Sequence, residues 1–505
     1  MHAKYPGWRL GMAGLALLTV LVLTPRREGR GQDGGGAGAS RRLYVGAQGC
    51  AQCHATGARN VVADAEARDV SWVKLDEYVT WSTQDNHSKA YSRLAGVWKE
   101  RTASMSALLG YDALNDRRCL SCHSTWAPED ERGRPFSLAE GVTCTACHGP
   151  DSGWILPHGL DPKWRTLPPA EKEAKGLVNL RDPVKRASTC LACHVGNHEQ
   201  GKVLTHEMYA AGHPPLPGIE VGAFSKAQPR HWRLNRQNSE ATKAILKVDP
   251  TELEETRFTV IAGVVSLRHA MDLLAATTEQ GVADGTSEFG RFDCQSCHHE
   301  LRRPSWRQAR GAVGPPGRPR PPAWPDALID LALHLVESAP SGDTTLRPRY
   351  DAARSTLAEA FSDRPFGDPA RVVPASRVIS AWSDDLVAAI KSTKINAEAG
   401  RRALARLVER GRGSKFIDPD AAKQLAWAYQ TIRGELVEIG ATPADPAYDA
   451  VMDRLDEGLG LAIPTGPKRD PVALLSQRLK ALSDYDPAQF RRDFDELARL
   501  APAGP

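Results

Sequence analysis

The chain has 505 residues, and its 65 Lys and Arg residues nearly balance its 61 Asp and Glu residues, for a net charge of +4. So small a net charge excludes the strongly basic footprint of a nucleic-acid-binding protein. No segment resembles an RNA- or DNA-binding module, so nucleic acid is not an expected partner.

The first 39 residues are typical of an export signal. Lys4 and Arg9 precede an uncharged, mostly apolar run of about 15 residues from Leu10 to Thr24. That length fits a signal peptide and is short for a membrane-spanning helix. A small-x-small cleavage pattern at residues 37–39 lies far beyond the run, so an uncleaved membrane anchor is the alternative. We predict a signal peptide or N-terminal anchor over residues 1–39 and an exported, periplasmic protein.

All ten cysteines fall into five copies of one pattern, Cys-x-x-Cys-His, and none is left over. A c-type haem explains the pattern, because the two thiols form thioether bonds to the porphyrin and the adjacent histidine binds the iron. Zinc sites need a second cysteine pair or a separated histidine pair, and a redox dithiol needs one copy only. We therefore predict five covalently bound haem c groups at motifs 1 to 5, in chain order: Cys50, Cys53 and His54; Cys119, Cys122 and His123; Cys144, Cys147 and His148; Cys190, Cys193 and His194; and Cys294, Cys297 and His298.

Residues 40–303 carry all five motifs and form a predicted pentahaem cytochrome c domain. Five porphyrins supply much of the apolar core of such a domain, which agrees with the low mean hydropathy of −0.41. We expect a mainly α fold with short helices and long loops around stacked haems. A helical turn suits each motif because it brings both thiols and the histidine towards one ring.

The histidines outside the motifs are candidates for the second axial position of each iron. His2 belongs to the signal segment, His334 to the C-terminal part, and His299 follows a motif histidine too closely to reach the opposite face of the haem. His198 lies four residues after motif 4 and His269 lies in an apolar helical stretch, so both are weaker candidates. Each remaining histidine is alternatively a surface or propionate-bonding residue, and methionine is the alternative ligand. The five remaining candidates are His87, His158, His206, His213 and His231.

The chain between motif 3 and His158 cannot be one continuous helix. The sequence GPDSGWILP separates them, and its glycines and prolines break a helix. The chain must therefore turn away from the iron that His148 holds, and such a turn can carry His158 to a different porphyrin.

The C-terminal part differs in composition. Residues 304–325 are rich in proline and glycine and mark a linker or a long ordered loop. Residues 326–505 contain no cysteine and one histidine, and their apolar residues recur at helical spacing in 379–390 and 425–436. Asp-Pro pairs that begin at 418, 445, 470 and 486 combine a capping carboxylate with a proline suited to the first helical position. We predict an α-helical bundle of about five to seven helices without a ligand set.

Several of these stretches together resemble a known family. Motif 2, then EGVTCTACHG with His158 ten residues after His148, then CLACHVGN resemble the tetrahaem cytochrome c-552/c-554 family over roughly residues 45–235. THEMYAAGHPPLPG and FDCQSCHHELRRPSWRQ are similar to larger multihaem relatives that have an additional haem and a C-terminal extension. The resemblance implies periplasmic electron transfer through stacked, mostly bis-His haems, one of which lacks a sixth ligand. It also implies that His158 binds the first haem and that His87 serves another haem in the same crossed manner.

Two classes of function fit these features. In an electron carrier, six-coordinate irons pass electrons from haem to haem, and the partners are other redox proteins or quinone-linked membrane complexes. In a multihaem oxidoreductase, one five-coordinate haem binds a small nitrogen or sulfur compound. A proximal lysine or a distal acid–base cluster would favour the enzyme, and the sequence displays neither. Electron transfer is therefore the favoured interpretation, and no catalytic residue is assigned.

Overall fold

The computed structural model describes residues 42–55, 73–298, 303, 318–340, 342–413, 418–463, 480 and 483–500. The predicted signal segment 1–39, residues 304–317 of the predicted linker and the Asp-Pro pair at 470 lie outside these ranges. Residues 42–505 form one compact unit. The described part is mainly α-helical, as predicted, and contains no strand, only isolated β-bridges between Tyr44 and Arg132 and between Asn197 and Lys202. The division into residues 40–303, 304–325 and 326–505 stays a prediction.

Short helices form the region before residue 250. A π-helical turn at Arg93–Val97 and 3-10 turns at Asn86–Lys89, Glu129–Glu131, Leu138–Glu140, Trp164–Thr166 and Asn235–Gln237 interrupt them. The α-helices of this region are Ala47–His54, Glu77–Gln84, Ala90–Ser92, Lys99–Leu109, Arg117–His123, Cys144–His148, Pro157–Leu160, Pro169–Ala174, Pro183–His194, His206–Ala210, Val221–Ala227 and Glu240–Leu246.

Longer helices follow. Three 3-10 turns, Phe289–Arg291, Cys294–Ser296 and Trp324–Asp326, separate the first of them from the rest. The α-helices are Glu254–Asp284, Ile329–Glu337, Leu346–Ala360, Pro369–Ser392, Ala397–Gly413, Pro419–Glu438, Pro446–Leu459 and Pro487–Leu500.

Asp-Pro pairs begin three of the C-terminal helices, as the sequence predicts. Asp418, Asp445 and Asp486 each accept a hydrogen bond from the backbone N–H two residues on, at 3.0, 2.9 and 2.8 Å. Asp368 caps Pro369–Ser392 in the same way, although the sequence analysis did not single it out. Each carboxylate satisfies an N–H group that has no partner within its own helix, so the chain enters each helix at a defined residue.

Both apolar patterns predicted for the C-terminal part lie in the protein interior. Their members are all buried, on the helices Pro369–Ser392 and Pro419–Glu438: Ile379, Trp382, Leu386 and Ile390, and Leu425, Tyr429, Ile432 and Leu436. The helical spacing therefore reports a face that packs inwards.

The helix Glu254–Asp284, called the core helix below, joins the motif-bearing region to the C-terminal helices. It packs against Pro183–His194, which carries motif 4, and against Pro369–Ser392 and Pro419–Glu438. Among the described residues it is the one helix long and apolar enough to cross a membrane, yet 78% of its most apolar stretch is buried within the protein. Its apolar residues thus serve as the core of the fold.

A buried carboxylate fixes the start of the core helix. Glu435 is fully buried and accepts hydrogen bonds from the backbone N–H groups of Glu255 at 2.9 Å and Thr256 at 2.7 Å. Arg236 lies 3.2 Å from the same carboxylate. Burial raises the pKa of Glu435. The C-terminal part therefore satisfies N–H groups of the core helix that have no partner within that helix.

Candidate functional site

The motifs lie at the ends of short helices. Motifs 1 to 4 end the helices Ala47–His54, Arg117–His123, Cys144–His148 and Pro183–His194, and each helix ends at the motif histidine. Motif 5 occupies the 3-10 turn Cys294–Ser296, which His298 follows. In a helix the two cysteines, three residues apart, and the histidine that follows lie on one side, so they can address one planar group.

Four motif histidines lie opposite a second histidine ring. Each of these partners is one of the five histidines predicted as second axial ligands. The distances between ring centroids are 6.1 Å for His54 and His158, 6.2 Å for His123 and His213, 6.4 Å for His194 and His87, and 6.3 Å for His298 and His206.

The fifth motif histidine, His148, lies near the fifth predicted ligand. Burial, and next the charge of His231, lower the pKa of His148 to about 4. Burial also lowers the pKa of His231. Both imidazoles are therefore neutral at pH 7, which is the form that binds a metal.

The ring separations fit two imidazoles on opposite sides of one metal ion. A metal–imidazole nitrogen bond is about 2 Å long, and the ring centroid lies about 1.1 Å beyond the nitrogen, which gives about 6.2 Å between centroids. The four measured separations, from 6.1 to 6.4 Å, agree with this value. Each of these four pairs could therefore hold one metal ion between its two imidazoles.

Hydrogen bonds on Nδ1 select the tautomer that can bind iron. The Nδ1 atoms of His123, His158 and His213 face backbone carbonyl oxygens at 3.3, 3.1 and 2.7 Å. The Nδ1 atoms of His54 and His87 face carboxylates at 2.8 and 2.9 Å. These oxygens can only accept a hydrogen bond, so Nδ1 carries the proton and Nε2 keeps its lone pair for a metal.

A large cavity lies beside these residues. Its volume is about 1970 Å³, and its lining includes the cysteines of motifs 2 and 4 together with His87 and His213. An ordinary small-molecule site reaches about 1000 Å³. Trp427 of the C-terminal part also lines the cavity. The space is therefore sufficient for a bulky group next to each of these two motifs.

The motifs are neighbours in space. The Cys50 and Cys144 side chains lie close enough to interact, so motif 1 is next to motif 3. Cys122 and Cys193 interact likewise, so motif 2 is next to motif 4. Cys147 interacts electrostatically with Cys193, so motifs 3 and 4 are also close. The first four attachment sites therefore form one connected array in the order 1, 3, 4, 2.

The fifth motif is connected through one short segment. His206 faces His298 of motif 5, and His213 faces His123 of motif 2. Both belong to residues 206–213, which begin with the helix His206–Ala210. This segment therefore lies between motif 5 and motif 2.

The turn after motif 3 follows the sequence prediction. Gly149 adopts a φ of +84°, in the left-handed region, and ends the helix Cys144–His148. A side chain at this position would clash with the backbone of Gly176. His158 lies on the separate helix Pro157–Leu160, between the indoles of Trp154 and Trp164.

Two of the weaker histidine candidates, His198 and His269, also line the large cavity. His198 is exposed in the turn that follows motif 4. The Nδ1 atom of His269 lies 3.5 Å from the Gly196 carbonyl oxygen, and His334 lies in the helix Ile329–Glu337. His299 lies outside the described residues.

In the part of the chain that the structure describes, which includes all ten cysteines, no group of three or more His, Cys, Asp or Glu side chains is arranged to hold a metal ion. None of the ten cysteines forms a disulfide. A zinc site would need about four such ligands around one point, and a structural disulfide would need paired sulfurs.

Sequence analysis missed the two carboxylates, Glu77 and Asp85. Asp85 lies two residues before His87 and accepts hydrogen bonds from its backbone N–H and its ring, so the Asp-x-His pattern was a usable local signal. Glu77 lies 23 residues from His54, and no local signal connects the two.

Five Cys-x-x-Cys-His motifs, four of them at the ends of short helices, together with paired imidazoles indicate a c-type cytochrome. Residues 74–149 match the family described as cytochrome c554 and c-prime. This similarity over part of the chain supports a c-type cytochrome with covalently bound haem and a role in electron transfer. No curated protein and no solved structure matches the chain. The matched range contains motifs 2 and 3 and His87, and is narrower than residues 45–235, over which the sequence resembles the family.

Proposed function

We propose that the protein is an exported electron carrier that binds five haem c groups, each iron held between two histidines. The proposed axial pairs are His54 with His158, His123 with His213, His148 with His231, His194 with His87, and His298 with His206. The observation that carries this proposal is the separation of 6.1 to 6.4 Å between four pairs of rings.

Haem supplies one-electron chemistry, and the protein supplies both axial ligands and the burial that sets the potential. Two histidines on each iron leave no position for a substrate. This arrangement favours electron transfer over the alternative, an oxidoreductase that acts on a small nitrogen or sulfur compound at one open haem. The proximity of cysteines of motifs 1 and 3 and of motifs 2 and 4 supports attachment of the haems in adjacent, stacked pairs.

The proposed partners are other redox proteins or quinone-linked membrane complexes. They follow from the function, since an electron carrier needs a donor and an acceptor. The N-terminal segment supports export, with membrane anchoring as the alternative to cleavage.

Haem stoichiometry and one histidine variant test the proposal. A pyridine haemochrome assay with mass spectrometry should give five haems per chain. His158→Ala should keep all five, because the thioether bonds remain, but should convert one low-spin iron to high spin and allow cyanide to bind it. His198→Ala is the matched control and should change neither property. Four or fewer haems in the mature protein, or an unchanged low-spin count in His158→Ala, would contradict the proposal.

A further inference from the structure

The proposed axial histidines differ in what accepts the hydrogen bond from Nδ1. Glu77 Oε2 lies 2.8 Å from Nδ1 of His54 in motif 1. Asp85 Oδ1 lies 2.9 Å from Nδ1 of His87, whose ring faces that of His194 in motif 4. His123 and His213, which face each other at motif 2, are bonded to backbone carbonyls. Two of the five sites thus carry a negatively charged acceptor.

Glu77 is held in place from both sides of its carboxylate. Oε1 accepts a hydrogen bond of 2.6 Å from the backbone N–H of Lys74, while Oε2 contacts His54. The Glu77 side chain is 16% exposed. Both oxygens of the Glu77 side chain therefore accept a hydrogen bond, one of them from the motif histidine.

Asp85 is held even more firmly. Its Oδ1 accepts hydrogen bonds from the backbone N–H and the ring of His87, and its Oδ2 accepts one of 2.8 Å from Gln228 Nε2. The Asp85 side chain is 4% exposed. The contact between the charge and the imidazole is thus a fixed feature of the fold.

We propose that Glu77 and Asp85 are positioning residues that lower the reduction potentials of the haems at motifs 1 and 4 relative to that at motif 2. A carboxylate that accepts a hydrogen bond from Nδ1–H makes the imidazole a stronger electron donor to the iron. This stabilises the ferric state of the haem more than the ferrous state. A backbone carbonyl carries no net charge, so it strengthens the imidazole as an electron donor less than a carboxylate does. The inference rests on the proposed function, because it requires His54 and His87 to be axial ligands.

The position of Asp85 predicts how an electron is shared between the haems of motifs 4 and 2. Motif 4 and motif 2 are neighbours through Cys193 and Cys122. The carboxylate-bonded His87 faces motif 4, while both histidines at motif 2 are carbonyl-bonded. In a partly reduced protein, an electron shared by this pair should therefore reside on the motif 2 haem.

The substitutions Glu77→Gln and Asp85→Asn test the inference, since each keeps an acceptor oxygen and removes the charge. Each should raise one of the five midpoint potentials in a potentiometric titration followed by EPR. Loss of such an outer contact typically changes metal affinity at least tenfold, and a tenfold change in the relative stability of ferric and ferrous iron corresponds to about 59 mV for one electron.

Asp116→Asn is the matched control. Asp116 caps the motif 2 helix and pairs with Arg118 at 2.7 Å, so the substitution removes one charge near a motif without altering the Nδ1 partner of a histidine. The control should not raise any potential by this amount. If five low-spin haems are present, unchanged midpoint potentials in Glu77→Gln and Asp85→Asn would overturn the inference. An equal shift of a midpoint potential in Asp116→Asn would also overturn it. A low haem count or high-spin iron in the unsubstituted protein would instead overturn the proposed function.

Discussion

The region of residues 42–180 and the C-terminal part, residues 326–500, are stabilised in different ways. The α-helices of the first region have 3 to 11 residues, and its buried apolar side chains are few and separate from the main apolar core. The C-terminal helices have 9 to 24 residues and contribute most of a continuous apolar core. In the first region the bound haems must supply what the peptide lacks, whereas the second packs by its own side chains.

Four buried indoles illustrate the difference. Trp154 and Trp164 pack against the ring of His158, and Trp81 donates a hydrogen bond of 2.9 Å to the carbonyl of Val142, next to motif 3. In the C-terminal part Trp382 is 2% exposed and stacks on Tyr350 at 4.5 Å within the apolar core. Large aromatic residues thus surround the cofactor sites in one region and fill the peptide core in the other.

The largest effect is expected from removing a haem. The double substitution Cys119→Ser and Cys122→Ser should reduce the haem count from five to four. It should lower the free energy of unfolding by more than about 5 kcal/mol, the upper end for truncation of one core side chain, because the haem occupies part of the large cavity. Mass spectrometry and denaturant unfolding measure both. Ser121→Ala, between the two cysteines, should keep five haems; if the double variant also keeps five, motif 2 does not attach haem.

A smaller effect, confined to stability, is expected in the C-terminal part. Ile379→Ala should lower the free energy of unfolding by about 2–5 kcal/mol, because Ile379 is 1% exposed in the apolar core. Val378→Ala, on the same helix but 56% exposed, should change it by less than about 0.5 kcal/mol. Neither should alter the haem spectrum. A spectral change in Ile379→Ala would mean that the C-terminal packing determines the haem sites. It would contradict the conclusion that the two regions are stabilised in different ways.

The sequence predicted what is encoded locally. Cys-x-x-Cys-His identifies an attachment site by spacing alone, and apolar periodicity with Asp-Pro caps identifies the C-terminal helices. Five of the ten histidines outside the motifs were set aside because of their positions in the sequence. The five that remained each lie near a motif histidine. Their role as ligands stays a prediction.

The pairing of histidines was beyond reach of the sequence alone, because it depends on long-range packing. His206 and His213 are seven residues apart, yet they face motif 5 and motif 2. His87 faces motif 4, whose histidine is His194, more than a hundred residues later. The resemblance to a known family had implied crossed ligation for His158 and His87, and it could not place the partners of the other three.

The EPR spectrum of the fully oxidised protein counts its low-spin and high-spin ferric irons. With two histidines on every iron, we expect five low-spin haems per chain and no high-spin signal. A high-spin signal equal to one iron per chain would contradict this expectation. That result would show that one of the five histidine pairs does not form on the iron, and it would favour an oxidoreductase with an open haem.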